Sequence, residues 1–324
     1  MKNTSNRKAL VAICAILGLF AAACGSDGES AGADGDGIRI AIVAPSAEND
    51  LAFTQSIVDG TNNLTGVKEI ARSPGLFLVD DAAAALRDYA DDGFDLVIGH
   101  GSQYGAVIQE IAPDFPDTAF AWGTASDTFG LPNVSAYTAA ADQGGYALGA
   151  LAATKGSTIG IVGPVEVGDA KLYIDGFTMG AEAGGAAVAT SYIDSFSDVQ
   201  LASETASAFA DSGVEVMTGT AQMTVGAIGV AEETGLAWFG TQSNQASAAA
   251  DGVVVASQVY KWEVALQGLV DDIAAGSLGG QSYEINLANG GLAIEWGVGT
   301  ENGDDQAVLD AAIDDIIAGN ITTR

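Results

Sequence analysis

Two stretches 119 residues apart, RIAIVAP (39–45) and TIGIVGP (158–164), read as the same event: a short buried strand stopped by proline. From residue 38 onward, short β-rich apolar runs alternate with stretches of helical period. The candidate strands are 38–44, 76–79, 95–98, 119–122, 133–137, 158–162, 187–193, 214–217, 236–239 and 253–257. Alternation of this kind specifies largely parallel sheets with helices on both faces. Opening that pattern twice points to two α/β lobes, and 324 residues at 48% hydrophobic content can bury the cores of both.

In an open parallel sheet a ligand sits beyond the carboxyl ends of the strands, so the residues that follow each strand carry the functional information. They read APSAENDLAFTQ, GHGSQYG and GTASD in the first half, and GPVEVGDAK, TGTAQM and GTQSNQ in the second. Neutral hydrogen-bonding groups dominate, with Phe53, Tyr104, Trp122 and Tyr173 among or beside them. That mixture suits a polar organic ligand with an apolar or π surface, gripped between two lobes. Asn49, Asp50, Phe53, Ser102, Tyr104, Trp122, Tyr173, Thr220, Asn244, Tyr260 and Lys261 are the candidate binding residues. Several have structural alternatives. Asn49 or Asp50 can cap a helix beginning near Leu51, and Phe53 can belong to the core. Lys261, the only basic residue between Lys171 and Arg324, either pairs with a carboxylate or faces the cleft.

Enzymatic readings find little support. GHGSQYG lacks the G-x-G-x-x-G spacing of a dinucleotide loop and follows the third strand rather than the first. Ser102 has no G-x-S-x-G elbow, and His100 is two residues away on a tight turn. Asp50, Asp127, Glu166 and Asp169 show no spacing of a catalytic carboxylate pair. One His and two Cys (Cys14, Cys24) build neither a His/Cys metal cluster nor a disulfide framework. No catalytic residue, metal or cofactor is expected.

Charge sets a further bound. The chain holds 42 acidic and 11 basic residues, and three of the basic ones, Lys2, Arg7 and Lys8, precede Cys24. Such a field repels phosphate backbones and excludes nucleic acid as a partner. It serves either as a solvated surface or as an attraction for a cationic ligand.

The basic start is followed by an apolar run over 9–20 and by Ala21, Ala22 and Ala23 just before Cys24. This is the layout of a secretory signal, and the run is shorter than the ~20 residues a spanning helix needs. Ala21 and Ala23 also satisfy an A-x-A cleavage rule, which would mean simple secretion. The stretch resembles the lipobox of bacterial lipoproteins, with Ala21 where Leu is usual. That resemblance implies a signal peptide over 1–23 and lipid on Cys24. Residues 25–37 (GSDGESAGADGDG) have no apolar face and read as a flexible tether, so 24–37 is the lipidated Cys with its linker.

At the strand ends the sequence resembles the basic membrane protein family, the purine-nucleoside-receptor-like substrate-binding lipoproteins of ABC transporters. The resemblance runs over about 39–296 and rests on NDLAFTQS, DLVIGHGSQYG with IAPDFPDTAFAW, NVSAYTAAADQGGYALGALAA, IGIVGPVEVGDAKLYIDGFTMGAEA, GTQSNQ and ASQVYKWEVAL. It implies a type I periplasmic-binding-protein fold: two doubly wound parallel-sheet lobes joined by three crossovers, near Ala139, Gln258 and Leu287. The lobes are then 38–138 plus 259–286 and 139–258 plus 287–324. It further implies a lipid-anchored, extracytoplasmic protein that delivers a small polar ligand to an ABC permease. A ligand sensor for a signalling partner and a secreted α/β enzyme are the alternatives. By the same resemblance Phe53 matches an aromatic that stacks on the purine, and Tyr173 falls where a second is usual. Asn49, Asp50, Gln55 and Ser56 also match. Thr54 and Ala44 depart, as do Asn244 and Tyr260, which replace an acid and a lysine that serve the ribose. Loss of both charges implies a changed ligand, with nucleosides still open.

Overall fold

A computed structural model describes residues 37–324; Cys24, the lipobox and most of the tether lie outside the described residues. In chain order the first elements are β1 (Ile38–Val43), α1 (Phe53–Gly60), β2 (Val67–Ser73), α2 (Val79–Asp91), β3 (Leu96–Gly99), α3 (Gly105–Ile111), β4 (Ala119–Gly123) and β5 (Val134–Ala139). They are followed by α4 (Ala141–Ala152), β6 (Thr158–Gly163), α5 (Gly168–Ala183), β7 (Ala187–Tyr192), α6 (Val199–Ser212), β8 (Val216–Gly219), α7 (Thr224–Thr234), β9 (Ala237–Gln242) and β10 (Val254–Tyr260). The chain ends with α8 (Glu263–Ala274), β11 (Ser282–Ile285), β12 (Leu292–Trp296) and α9 (Gly303–Ile317).

Two six-stranded sheets result, in the orders β11-β5-β4-β3-β1-β2 and β12-β10-β9-β8-β6-β7. Their orders correspond strand for strand, so β1 and β6, the strands of the repeated motif, hold equivalent central places. Pairing is parallel except where β12 runs antiparallel to β10. The fold is two doubly wound α/β lobes of the type I periplasmic-binding-protein kind. Side chains alternate across β1: Ile40 and Ile42 enter the core shared with α4, α5 and Trp262, while Ala41 and Val43 enter the one under α2 and α3. A strand buried on both faces reads as an unbroken apolar run, which is why both copies were conspicuous in the sequence.

The chain passes between the sheets three times, from β5 into α4, from β10 into α8, and from β11 into β12. Ala139, Ala140 and Ala141 of the first passage are fully buried. Trp262 anchors the second: its ring meets Tyr137 and Tyr260 edge-on, and its Nε1–H donates to Ser56 Oγ at 2.9 Å.

One expected strand is corrected. The apolar run 76–79 is the entry to α2, and the strand before it is β2, whose VKEIARS pattern mixes charge with apolar residues. Pro74 and Gly75, the latter at φ +77°, turn the chain between them.

Candidate functional site

Val43 pairs with Gly99, Gly99 with Trp122, and Gly123 with Tyr137, so the strand ends of the first lobe finish nearly level. The loops that leave them form one wall of a cavity, and the loops of the second lobe form the other. Pro45, Phe53, Phe77, Gly101, Ser102, Gln103 and Thr124 line it from the first lobe. Val167, Gly168, Asp169, Ala170, Phe196, Ala221, Gln222 and Gln242 line it from the second. The empty volume between the two walls is ≈ 490 Å³, open mouth included.

The first wall is built by Asp50. Its carboxylate accepts hydrogen bonds from Ser46 Oγ (2.6 Å) and from the backbone N–H groups of Ala52, Thr54 and Gln55. These bonds fix the turn before α1, hold Leu51 at φ 56°, and set Phe53 on the cavity wall. Asn49 is exposed and does not line the cavity. Phe53 stacks on His100 with centroids 4.1 Å apart and planes 14° apart. Because a carbonyl only accepts, the His100 Nε2–H donates to Phe53 O (3.3 Å) and Nδ1 accepts a hydrogen bond from the Tyr137 hydroxyl (2.7 Å). Burial pushes His100 down to about 3, so the ring behind Phe53 is neutral. With both nitrogens engaged, it does not act as a base for Ser102.

The second wall holds the charge. Asp169, in the first turn of α5, is buried and accepts from Tyr260 Oη (3.1 Å) and, at longer range, from Gln242 Nε2 (3.4 Å). Burial pushes its carboxyl up, and the hydrogen bonds from Gln242 and Tyr260 pull in the other direction. Gln242 Oε1 is buried without a partner among the described residues, as are Thr220 Oγ1 and Thr241 Oγ1. Thr124, Ala221 and Gln242 line the cavity with left-handed backbone, at φ 60°, 72° and 73°. Such conformations cost a non-glycine residue of order 1 kcal/mol each and persist where surrounding structure imposes them, often at ligand sites.

The family model described as "ABC transporter substrate-binding protein PnrA-like" matches residues 38–318. The chain belongs to this family, Bmp. A solved ABC transporter solute-binding protein from Conexibacter woesei DSM 14684 is 25% identical and superposes with a TM-score of 0.74, covering 88% of this chain and 98% of that one. One from Aeropyrum pernix K1, 17% identical, has the same TM-score over 88% and 92% of the two chains. Among curated proteins, the transcriptional activator protein med of Bacillus subtilis (strain 168) is 24% identical over 78% of this chain and 80% of its own length.

Within this Bmp-family cleft the structure brings Phe53 and Ser102 to the wall. Other expected residues sit elsewhere. Tyr104 turns inward, fully buried, and donates to Leu76 O at 2.7 Å. Tyr173 is core, its hydroxyl sharing a hydrogen bond with Thr218 Oγ1. Trp122 stacks on Phe129 and donates to Gly101 O, supporting the wall from outside. Thr220 is fully buried beside the lining Ala221. Tyr260 stands behind Asp169 rather than on the surface. Asn244 and Lys261 both bind Glu295, at 3.1 and 2.5 Å, and line a separate hollow of ≈ 710 Å³ with Gln55 and Asp59. In place of Tyr173 the second lobe offers Phe196, and in place of Asn244 it offers Gln242. Phe196 follows β7, so the strand-end rule applied to that strand would have found it; Gln242 was inside the quoted GTQSNQ.

Proposed function

We propose that this chain is the lipid-anchored, extracytoplasmic substrate-binding component of an ABC importer. It holds a small polar ligand with a flat or apolar face between its lobes and performs no bond chemistry. The observation that carries this reading is a single cavity lined by the strand-end loops of both sheets, with aromatic rings from each lobe. A ligand that touches both walls favours the closed arrangement, and the closed lobes form the surface a permease would recognise. A diacylglyceryl group on Cys24, with its two acyl chains, would anchor the domain far more firmly than one acyl group.

Thermal unfolding with nucleosides, sugars and amino-acid derivatives tests the binding role. A solute at 100 times its dissociation constant adds ~2.7 kcal/mol, so a shift of several degrees is expected with one class. No shift with any class would overturn the reading. Mass spectrometry of the membrane fraction should find acyl chains on Cys24, and an unmodified N-terminal Cys24 would mean simple secretion.

The relative named as a transcriptional activator favours a second reading, a ligand-sensing lipoprotein that reports to a signalling partner. Loss of solute uptake on deletion of the gene supports the importer. Normal uptake with altered gene expression supports the sensor.

A further inference from the structure

Asp169 is the only charged side chain among the described residues that line the cleft. No cation of the described chain forms an ion pair with it. The nearby Lys171 is turned to Glu166 and Asp175, and Lys261 is held by Glu295. Burying a carboxylate without a countercharge is costly, and its protein donors, Tyr260 Oη, Gln242 Nε2 and the backbone N–H groups of Asp169 and Ala170, are all neutral. The same Gln242, 2% exposed, presents a second acceptor, Oε1, that nothing in the described protein satisfies. Buried polar atoms left without partners point to a group that arrives from outside. Around these acceptors stand Phe53, Phe77 and Phe196, and aromatic faces attract positive charge when it is desolvated. Neutral His100 behind Phe53 adds no competing charge.

We propose that the ligand of this cleft is an organic cation, carrying a protonated amine, an amidine or a quaternary ammonium group. Its charge sits against Asp169, its N–H donors, where present, reach Gln242 Oε1, and its carbon skeleton lies on the three phenylalanines. The chain's excess of 42 acidic over 11 basic residues steers such ligands toward the protein. This inference rests on the cleft being the solute site and names the chemistry of the solute.

The experiment measures thermal shift and calorimetric binding for the full chain with phenethylamine, benzamidine, choline and agmatine. Phenylethanol, benzamide and 3,3-dimethylbutanol serve as uncharged counterparts, and adenosine, inosine and glucose are included. The expected result is binding of at least one cation, with its neutral counterpart weaker by roughly tenfold or more. Asp169→Asn, which keeps the shape, should remove that preference. Gln242→Glu, which adds a second carboxylate to the wall, should strengthen cation binding and stands in as a test should Asp169→Asn fold poorly. Equal affinity for cations and their neutral counterparts overturns the proposal, as does cation binding that survives Asp169→Asn. Binding of adenosine, inosine or glucose alone overturns it while leaving the solute-binding role intact, and no binding by any probe overturns both.

Discussion

His100 keeps its neutral form because burial in the core of the first lobe strips water from the charged ring. The unfolded chain protonates near the ordinary value of 6.5, and the folded chain only near about 3. Between those limits the unfolded state binds more protons, so His100 removes stability as pH falls through that window, at up to about 1.4 kcal/mol per pH unit. Chemical denaturation of the unaltered chain and of His100→Gln from pH 7 to 4 should show a shallower loss for the variant. Parallel curves would mean that His100 is protonated when folded. Asp50 makes a different contribution, because one carboxylate organises the whole turn before α1. Asp50→Ala should cost about 1–2 kcal/mol and weaken ligand binding, since Phe53 loses its support; unchanged denaturation and affinity would contradict this. Asp50 was visible in the sequence as a cap or a ligand; in the structure Ala52 is the N-cap of α1, and the Asp50 carboxylate, two residues earlier, accepts from the first backbone N–H groups of the helix. Tyr104 and Tyr173 were misplaced for a physical reason. Tyr104 in the loop after β3 and Tyr173 within α5 could each face the cleft or the core, and composition does not distinguish the two.

Helices α4 and α5 show how small residues position a lobe. A Cβ on Gly149 would lie 2.1 Å from Phe177 O, and one on Gly180 would lie 2.1 Å from Tyr146 O. Close approach of the two backbones therefore requires glycine at both points. Gly149→Ala or Gly180→Ala should each destabilise the chain by about 1–3 kcal/mol, the cost of overpacking, and a neutral result would show that the helices can separate freely. Most strands were legible because a doubly buried parallel strand is an unbroken apolar run, as in IRIAIV and TIGIVG. The exceptions share a cause. β2, β11 and β12 are edge strands interrupted by Glu69, Glu284 and Glu295, so no long apolar run marks them. Residues 76–79 are apolar for another reason: Phe77 is half exposed and faces the cleft.

Hydrogen bonds also join the two lobes away from the crossovers. The loop after β9 reaches across to the turn before α1, where Ser243 Oγ donates to Ala52 O at 2.8 Å and Gln245 Nε2 to Leu51 O at 3.2 Å. Ser243→Ala should shift the balance toward open by about 1 kcal/mol, the net worth of such a bond. Small-angle scattering without ligand should then give a larger radius of gyration, and an unchanged radius would show that the latch does not control opening. The binding role depends on the cleft, whereas the hollow around Lys261 and Glu295 is a separate place with a different composition. Calorimetric titration can distinguish the two, using the solute that most raises the melting temperature of the full chain. One solute per chain is expected, with affinity falling roughly tenfold or more in Phe196→Ala and holding in Lys261→Ala. Binding that ignores Phe196→Ala and disappears with Lys261→Ala would place the solute outside the cleft and contradict the account.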